Sequence, residues 1–175
     1  FSAAFDQEKA MDQKLNSDQK KVFTLASICR KNKAFSVAKN CYSYIISLGT
    51  NSSYYLDAQL ALLTVNKELL ENKSQPSFVE WLALEQDYLN SFLSLGKTSY
   101  TILLLRDLAQ IQAFRLHNLN DASTTIKEAL DLTFASKEDL TQCKLVYADI
   151  LLLQNEIWDA ILYYSQVDKA YKHDI

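Results

Sequence analysis

The sequence predicts an all-α protein made of antiparallel helix pairs. Only two glycines and one proline occur in 175 residues, whereas sandwiches, barrels and dinucleotide-binding folds need many residues that tolerate tight turns. Apolar residues recur at helical spacing along most of the chain. Gly49 and Gly96 both follow such a stretch in the same apolar-Ser-Leu-Gly context. Each glycine is therefore expected to end an equivalent helix in a left-handed conformation.

Helical periodicity and helix-end signals predict nine helices, joined by short connections that make neighbours pack as hairpins. We expect them at residues 2–15, 18–32, 34–48, 53–71, 77–95, 99–117, 120–134, 137–154 and 156–172. Ser77 with Glu80 is typical of a capping box that opens the fifth helix. The first helix would be left over from an upstream unit or act as a cap, so we divide the chain into residues 1–16 and a helical repeat domain at 17–175.

Three alanines indicate an internal repeat among these helices. Ala38, Ala122 and Ala160 each have apolar residues three positions before, four after and seven after. These offsets share one helical face, where a small residue lets another helix approach closely. The residues twelve positions earlier are Ala26, Gln110 and Ala148. A further unit departs from the pattern, because Glu85 stands where its alanine is expected.

A helix pair with a small residue, alanine twelve positions later and a bulky residue four further on resembles the tetratricopeptide repeat. The matching residues are Leu25, Ala26, Phe35, Ala38, Tyr42 and Ile45 in the first unit, and Ala148, Leu151, Ile157, Ala160, Tyr164 and Val167 in the last. The last unit also looks like one common in bacterial members of this family. The resemblance covers residues 17 to 172, and it implies a right-handed α–α superhelix of about four helix pairs within a larger protein. Positions 38, 85, 122 and 160 are 47, 37 and 38 residues apart, which exceeds the ~34 residues of the family and overlaps HEAT-type repeats.

The charge of the chain argues against a general nucleic-acid binder. The net charge is −3 and the isoelectric point about 5.4, whereas such binders carry a basic surface. One local bias exists, because eight basic and two acidic residues lie between Lys9 and Lys39. A solvated helix face is the favoured interpretation of this segment, and a site for an anionic partner is the alternative.

The sequence contains no constellation typical of an enzyme, and we expect no catalytic residue, metal or cofactor. His117 and His173 lie 56 residues apart without metal-binding spacing, and His117 is expected near a helix end, where a cation suits the dipole. No glycine-rich loop is present to hold a phosphate. Cys29, Cys41 and Cys143 lack zinc-site spacing, so they are interpreted as small buried residues, with a Cys29–Cys41 contact left open.

No membrane insertion is expected from this sequence. A membrane helix needs about 18–20 consecutive apolar residues, and no stretch reaches that length. The sequence begins at Phe1 rather than methionine, from which we expect a processed or trimmed piece of a longer protein. The localisation is left open.

Eight residues on the first helices of the pairs are candidates for partner binding. Stacked helix pairs present an extended concave surface that suits a peptide or partner domain, and the family resemblance implies that first helices line it. The candidates are Phe23, Ser27, Arg30, Asp107, Ile111, Phe114, Leu145 and Asp149. For Asp107 and Asp149 we favour an ion pair or capping contact instead, for example Asp107 with a neighbouring arginine. Phe23 and Ser27 stand where a subset of the family carries Lys and Asn to capture a terminal carboxylate, so that activity is not implied.

The leading hypothesis is a non-catalytic interaction scaffold that binds a protein or peptide partner. The alternative is a sensory or regulatory segment of a larger signalling protein. A small-molecule pocket between helices would favour the alternative, and an open groove the size of a peptide would favour the scaffold.

Overall fold

The computed structural model describes residues 1–15, 19–98 and 100–172. Within these ranges the chain contains nine α-helices, one short 3-10 turn and no strand, and 81% of the residues are helical. The helices are α1 (Ser2–Leu15), α2 (Lys20–Lys31), α3 (Phe35–Ser47), α4 (Tyr55–Glu71), α5 (Phe78–Leu95), α6 (Thr101–Phe114), α7 (Leu119–Leu130), α8 (Lys137–Leu153) and α9 (Ile157–Lys172). The predicted all-α class is confirmed.

Most helix ends lie within three residues of their predicted positions, and side-chain caps are present at the starts of α5, α7 and α8. At the start of α5 the Ser77 hydroxyl accepts from the Glu80 amide, and the Glu80 carboxylate accepts from the Ser77 amide at 2.9 Å. This confirms the predicted capping box. The largest difference is α7, which was predicted to reach residue 134 but ends at Leu130. Leu132 is buried just beyond this end, and leaving the helical path allows that placement.

Three hairpins share a turn that the sequence pattern did not reveal. Lys33, His117 and Asn155 join α2 to α3, α6 to α7 and α8 to α9, and their φ angles are 59°, 55° and 64°. After Lys33 and after Asn155, the next amide bonds back to the carbonyl five residues earlier, at 2.8 and 2.9 Å. This is the Schellman arrangement that closes a helix end. Each turn residue lies five positions before one of the three buried alanines, Ala38, Ala122 and Ala160.

Both glycines have the positive φ that their sequence context predicts. Gly49 has φ 71° and Gly96 has φ 65°. The Gly96 amide closes α5 by donating to the Phe92 carbonyl at 2.8 Å. Its ψ of −163° takes it out of the left-handed helical region into one that is essentially restricted to glycine. Gly96 therefore adopts a backbone conformation that disfavours other residues more strongly than the left-handed conformation predicted for a helix cap.

Replacing Gly96 by alanine is expected to lower the free energy of unfolding by about 1–2 kcal/mol. A β-carbon at this position would meet no atom within 4 Å, so the cost is backbone strain alone. Urea unfolding of the parent and the variant measures the change. Ser94→Ala, at an exposed position of α5, is the control and should be neutral or slightly stabilising. An equal effect of the two substitutions would contradict the strain at Gly96.

The chain divides into two compact units, which we call the N-terminal unit (Phe1–Pro76) and the C-terminal unit (Ser77–Ile175). In the N-terminal unit α3 packs against both α2 and α4. In the C-terminal unit α7 packs against α6 and α8, α8 packs against α9, and α6 also contacts α8. Within each unit, helices adjacent in sequence therefore pair, and each unit has its own apolar core. The predicted division between residues 16 and 17 lies outside the described residues and stays a prediction.

Helix α1 packs against α2 and α3 of the N-terminal unit, and Tyr44 on α3 contacts three of its residues. The Tyr44 hydroxyl donates to the Asp12 carboxylate at 2.8 Å. The Phe5 ring meets the Tyr44 ring edge-on at 6.4 Å between centroids, and the Lys9 ammonium lies 5.4 Å from the Tyr44 centroid. Burial and the hydrogen bond to Asp12 raise the pKa of Tyr44 to about 12. A buried polar contact thus joins α1 to the rest of its unit.

Candidate functional site

Phe23 contributes to the internal packing of the N-terminal unit rather than forming a free anchor. Its ring lies 5.5 Å from the Tyr42 ring in an edge-to-face arrangement, and 5.1 Å from the Tyr54 ring. Such aromatic pairs stabilise beyond the area that they bury. Substitution of Phe23 would therefore disturb the core, which makes it a poor probe of partner binding.

Ser27 lies one turn further along α2, where its hydroxyl is occupied within the unit. It donates to the Phe23 carbonyl at 3.1 Å and lies 3.3 Å from the hydroxyl of Tyr42. Burial raises the pKa of Tyr42, and the contact with Ser27 provides its buried hydroxyl with a hydrogen-bond partner.

Arg30 near the end of α2 holds the carboxylate of Glu68 on α4. The Arg30 Nε donates to Glu68 Oε2 at 2.9 Å, and the Arg30 Nη2 donates to Glu68 Oε1 at 2.9 Å. This is the two-pronged geometry in which a planar guanidinium matches a carboxylate. The arginine and glutamate side chains remain 38% and 27% exposed, so the pair is accessible to solvent.

A cleft of about 610 Å³ opens beside this ion pair. Its lining residues come from the C-terminal ends of α2 and α4 and from the turn into α3, and they are Ser27, Arg30, Lys31, Lys33, Phe35, Glu68 and Asn72. Three cationic side chains face one carboxylate. The cleft therefore carries a net positive charge within a protein whose net charge is −3.

The C-terminal unit engages both candidate aspartates internally. Asp107 accepts from its neighbour Arg106, at 3.1 Å from Nε and 2.8 Å from Nη2, which confirms the favoured ion pair. Asp149 accepts instead from the Tyr164 hydroxyl at 2.6 Å. This hydrogen bond, followed by burial, raises the pKa of Tyr164 to about 12.

Ile111 is buried, whereas Phe114 and Leu145 are 37% and 40% exposed. The buried position of Ile111 removes it from any partner surface in this conformation. Ser27, Ile111 and Asp149 hold the same place in their respective hairpins. The tyrosine fifteen residues later bonds to Ser27 in the first hairpin and to Asp149 in the last. At these two positions the side chain therefore contacts the second helix of the hairpin, and Ser27 also lines the cleft beside Arg30.

Five residues of the cleft were not among the sequence-based candidates: Lys31, Lys33, Phe35, Glu68 and Asn72. The signal for two of them was present in the basic bias between Lys9 and Lys39, but it did not show which of the cations meet. Glu68 and Asn72 lie 38 and 42 positions after Arg30, and no local pattern links them to it.

A second cleft, of about 520 Å³, lies between the start of α8 and the end of α9. Its lining residues are Ala135, Lys137, Leu140, Thr141, Lys144, Gln166, Lys169 and Ala170. Three lysines give it a positive lining without an acidic side chain. None of the eight predicted site residues lies there.

The remaining chemically reactive residues are in structural settings. Cys29, Cys41 and Cys143 are buried free thiols, which confirms their interpretation as small buried residues. Burial raises the pKa of Cys41 and of Cys143 to about 12, so neither forms a nucleophilic thiolate near neutral pH. His117 lies just past the end of α6, as expected, and His173 lies outside the described residues.

No group of three or more His, Cys, Asp or Glu residues in the described part of the chain is placed to hold a metal ion. None of the described helices combines the length and apolar character that crossing a membrane requires.

No protein-family model matches this chain, and no curated protein matches it in sequence.

Proposed function

We propose that this chain is a non-catalytic interaction scaffold of tetratricopeptide-like helical hairpins that binds a peptide or a partner domain. The observation that carries the proposal is the recurring hairpin. In three places a non-glycine turn residue with positive φ precedes a buried alanine by five positions. Stacked hairpins of this kind form extended surfaces on which partners bind.

The first helices of two consecutive hairpins support the proposal in the C-terminal unit. Helices α6 and α8 contact each other directly, as first helices do in stacked pairs. Phe114 on α6 and Leu145 on α8 leave more than a third of their surface exposed. Exposed aromatic and aliphatic side chains are the usual anchors of a protein interface. These two residues are the strongest remaining members of the predicted site.

Affinity capture from a native extract tests the scaffold, with Phe114→Ala/Leu145→Ala as the informative variant. We expect the parent to retain a protein that the double variant loses, because truncating interface anchors weakens binding by about tenfold or more. The captured protein is then purified, and its affinity for the parent and the variants is measured directly.

Leu93→Ala is the matched control, since Leu93 is an exposed leucine of the same unit on α5. It should leave the affinity unchanged. Circular dichroism shows whether each variant remains folded. If the folded double variant binds the purified partner as tightly as the parent does, Phe114 and Leu145 are not the anchors. Turnover of a substrate by the purified chain would overturn the non-catalytic proposal itself.

A further inference from the structure

We propose that the cleft of the N-terminal unit binds an acidic segment of a partner polypeptide. Without the partner the Glu68 carboxylate binds the Arg30 guanidinium, and a carboxylate of the partner replaces it there. This inference rests on the proposed scaffold function and adds the chemistry of one partner segment. It concerns the turn end of the α2–α3 hairpin in the N-terminal unit, whereas Phe114 and Leu145 belong to the C-terminal unit.

The first argument is the convergence of positive charge on the cleft. Arg30, Lys31 and Lys33 all line it. Lys31 and Lys33 are exposed, and neither makes an ion pair with any residue in the described ranges. If these basic residues only formed a solvated helix face, their side chains would be distributed around the surface. Here three cations meet at one concave site, which concentrates the potential that attracts an anion.

The second argument is the carboxylate that the cleft already holds. Glu68 shows that the Arg30 guanidinium is oriented to bind a carboxylate through two parallel hydrogen bonds of 2.9 Å. The pair is partly exposed on both sides, and exposed ion pairs contribute little net free energy. An incoming carboxylate that also contacts Lys31 and Lys33 can therefore replace Glu68. Glu68 acts as an internal competitor and sets the affinity.

The third argument selects a polypeptide over a nucleic acid. The chain as a whole is acidic, with a net charge of −3, which disfavours a long polyanion that neutralises its charge over an extended surface. A cavity of about 610 Å³ suits a few side chains. Phe35 lines the cleft beside the cations and provides an apolar contact for the side chains between the acidic residues.

The test measures fluorescence polarisation of a labelled peptide of alternating glutamate and alanine, compared with its glutamine–alanine counterpart. We expect the parent to bind the glutamate peptide more tightly, and added salt to weaken that binding because exposed charges are screened. Lys31→Gln/Lys33→Gln should weaken it by roughly three- to tenfold. Lys21→Gln/Lys39→Gln is the control, since it removes two exposed lysines of the same unit that do not line the cleft, and it should change the affinity by less than about twofold.

Glu68→Gln tests the replacement of the internal carboxylate. Because it removes the carboxylate that Arg30 binds while keeping the size of the side chain, the glutamate peptide should bind about two- to fivefold more tightly. Asp57→Asn removes the same charge from an exposed position on the same helix and should have less effect. Equal effects of these two substitutions would overturn the competitor role of Glu68.

Other outcomes overturn the inference as a whole. They are equal affinity for the two peptides, equal weakening by the two lysine pairs, and tighter binding of a single-stranded oligonucleotide through Lys31 and Lys33. If neither peptide binds, the cleft does not recognise acidic segments. The scaffold proposal is then decided separately by the capture experiment, whose variants lie in the C-terminal unit.

Discussion

Replacing Ala122 by leucine is expected to lower the free energy of unfolding by about 3 kcal/mol. Ala122 is completely buried in the core of the C-terminal unit, where α7 packs against α6 and α8. Protein interiors are packed as densely as organic crystals, so a larger side chain there forces rotamers and helices to shift. Overpacking of this kind typically costs about 1–3 kcal/mol, with larger values when the backbone must move.

Ala83→Leu is the matched control for this prediction. Ala83 is exposed on α5 of the same unit, and leucine has nearly the helix propensity of alanine. The control should therefore change the free energy of unfolding by less than about 0.5 kcal/mol. Urea unfolding followed by circular dichroism measures both variants. A folded Ala122→Leu variant as stable as the control would show that α7 does not approach its neighbours closely at this alanine.

Raising the pH from 10 to 12 is expected to remove about 2 kcal/mol of stability through Tyr44 alone. Burial, followed by the hydrogen bond to Asp12, raises the pKa of Tyr44 to about 12, above the ordinary value of 10. Below pH 10 the hydroxyl is neutral in both the folded and the unfolded chain, and its full contribution to the free energy of unfolding is present. Above pH 10 the unfolded chain ionises first, so the contribution falls until the folded-state pKa is passed.

Tyr44→Phe isolates this contribution. At neutral pH it should destabilise the protein by about 1–3 kcal/mol, because the buried Asp12 carboxylate loses a hydrogen-bond donor. The difference in stability between parent and variant should then shrink as the pH rises from 10 to 12, since the variant lacks the titrating group. Other tyrosines, including Tyr164, titrate in both proteins and cancel in the comparison.

Urea unfolding at a series of alkaline pH values measures this difference. Tyr171→Phe removes a hydroxyl from an exposed tyrosine on α9 and controls at neutral pH for the loss of a hydroxyl as such. A difference between the parent and Tyr44→Phe that stays constant from pH 10 to 12 would mean that the Tyr44–Asp12 contact does not hold the hydroxyl in its neutral form.

The sequence by itself determined the helices and several of their ends. The scarcity of glycine and proline, the helical spacing of apolar residues and the capping box at Ser77 act within a few residues of chain. Helix formation and helix capping also depend on residues within a few positions of one another. The all-α class and most helix boundaries were therefore predictable. The positive φ of Gly49 and Gly96 was predictable for the same reason, whereas the ψ of Gly96 was not.

The tertiary structure alone decided how the helices face one another and which side chains meet. Ser27, Ile111 and Asp149 hold equivalent positions that looked available to a partner in the repeat register. In the structure Ser27 and Asp149 contact a tyrosine of the second helix of their hairpins, and Ile111 is buried. Arg30 meets Glu68 across 38 residues of chain, and both residues line the cleft together with Lys31 and Lys33. Helical periodicity gives the buried stripe of each helix, but the rotation that packing imposes on neighbouring helices brings distant side chains together.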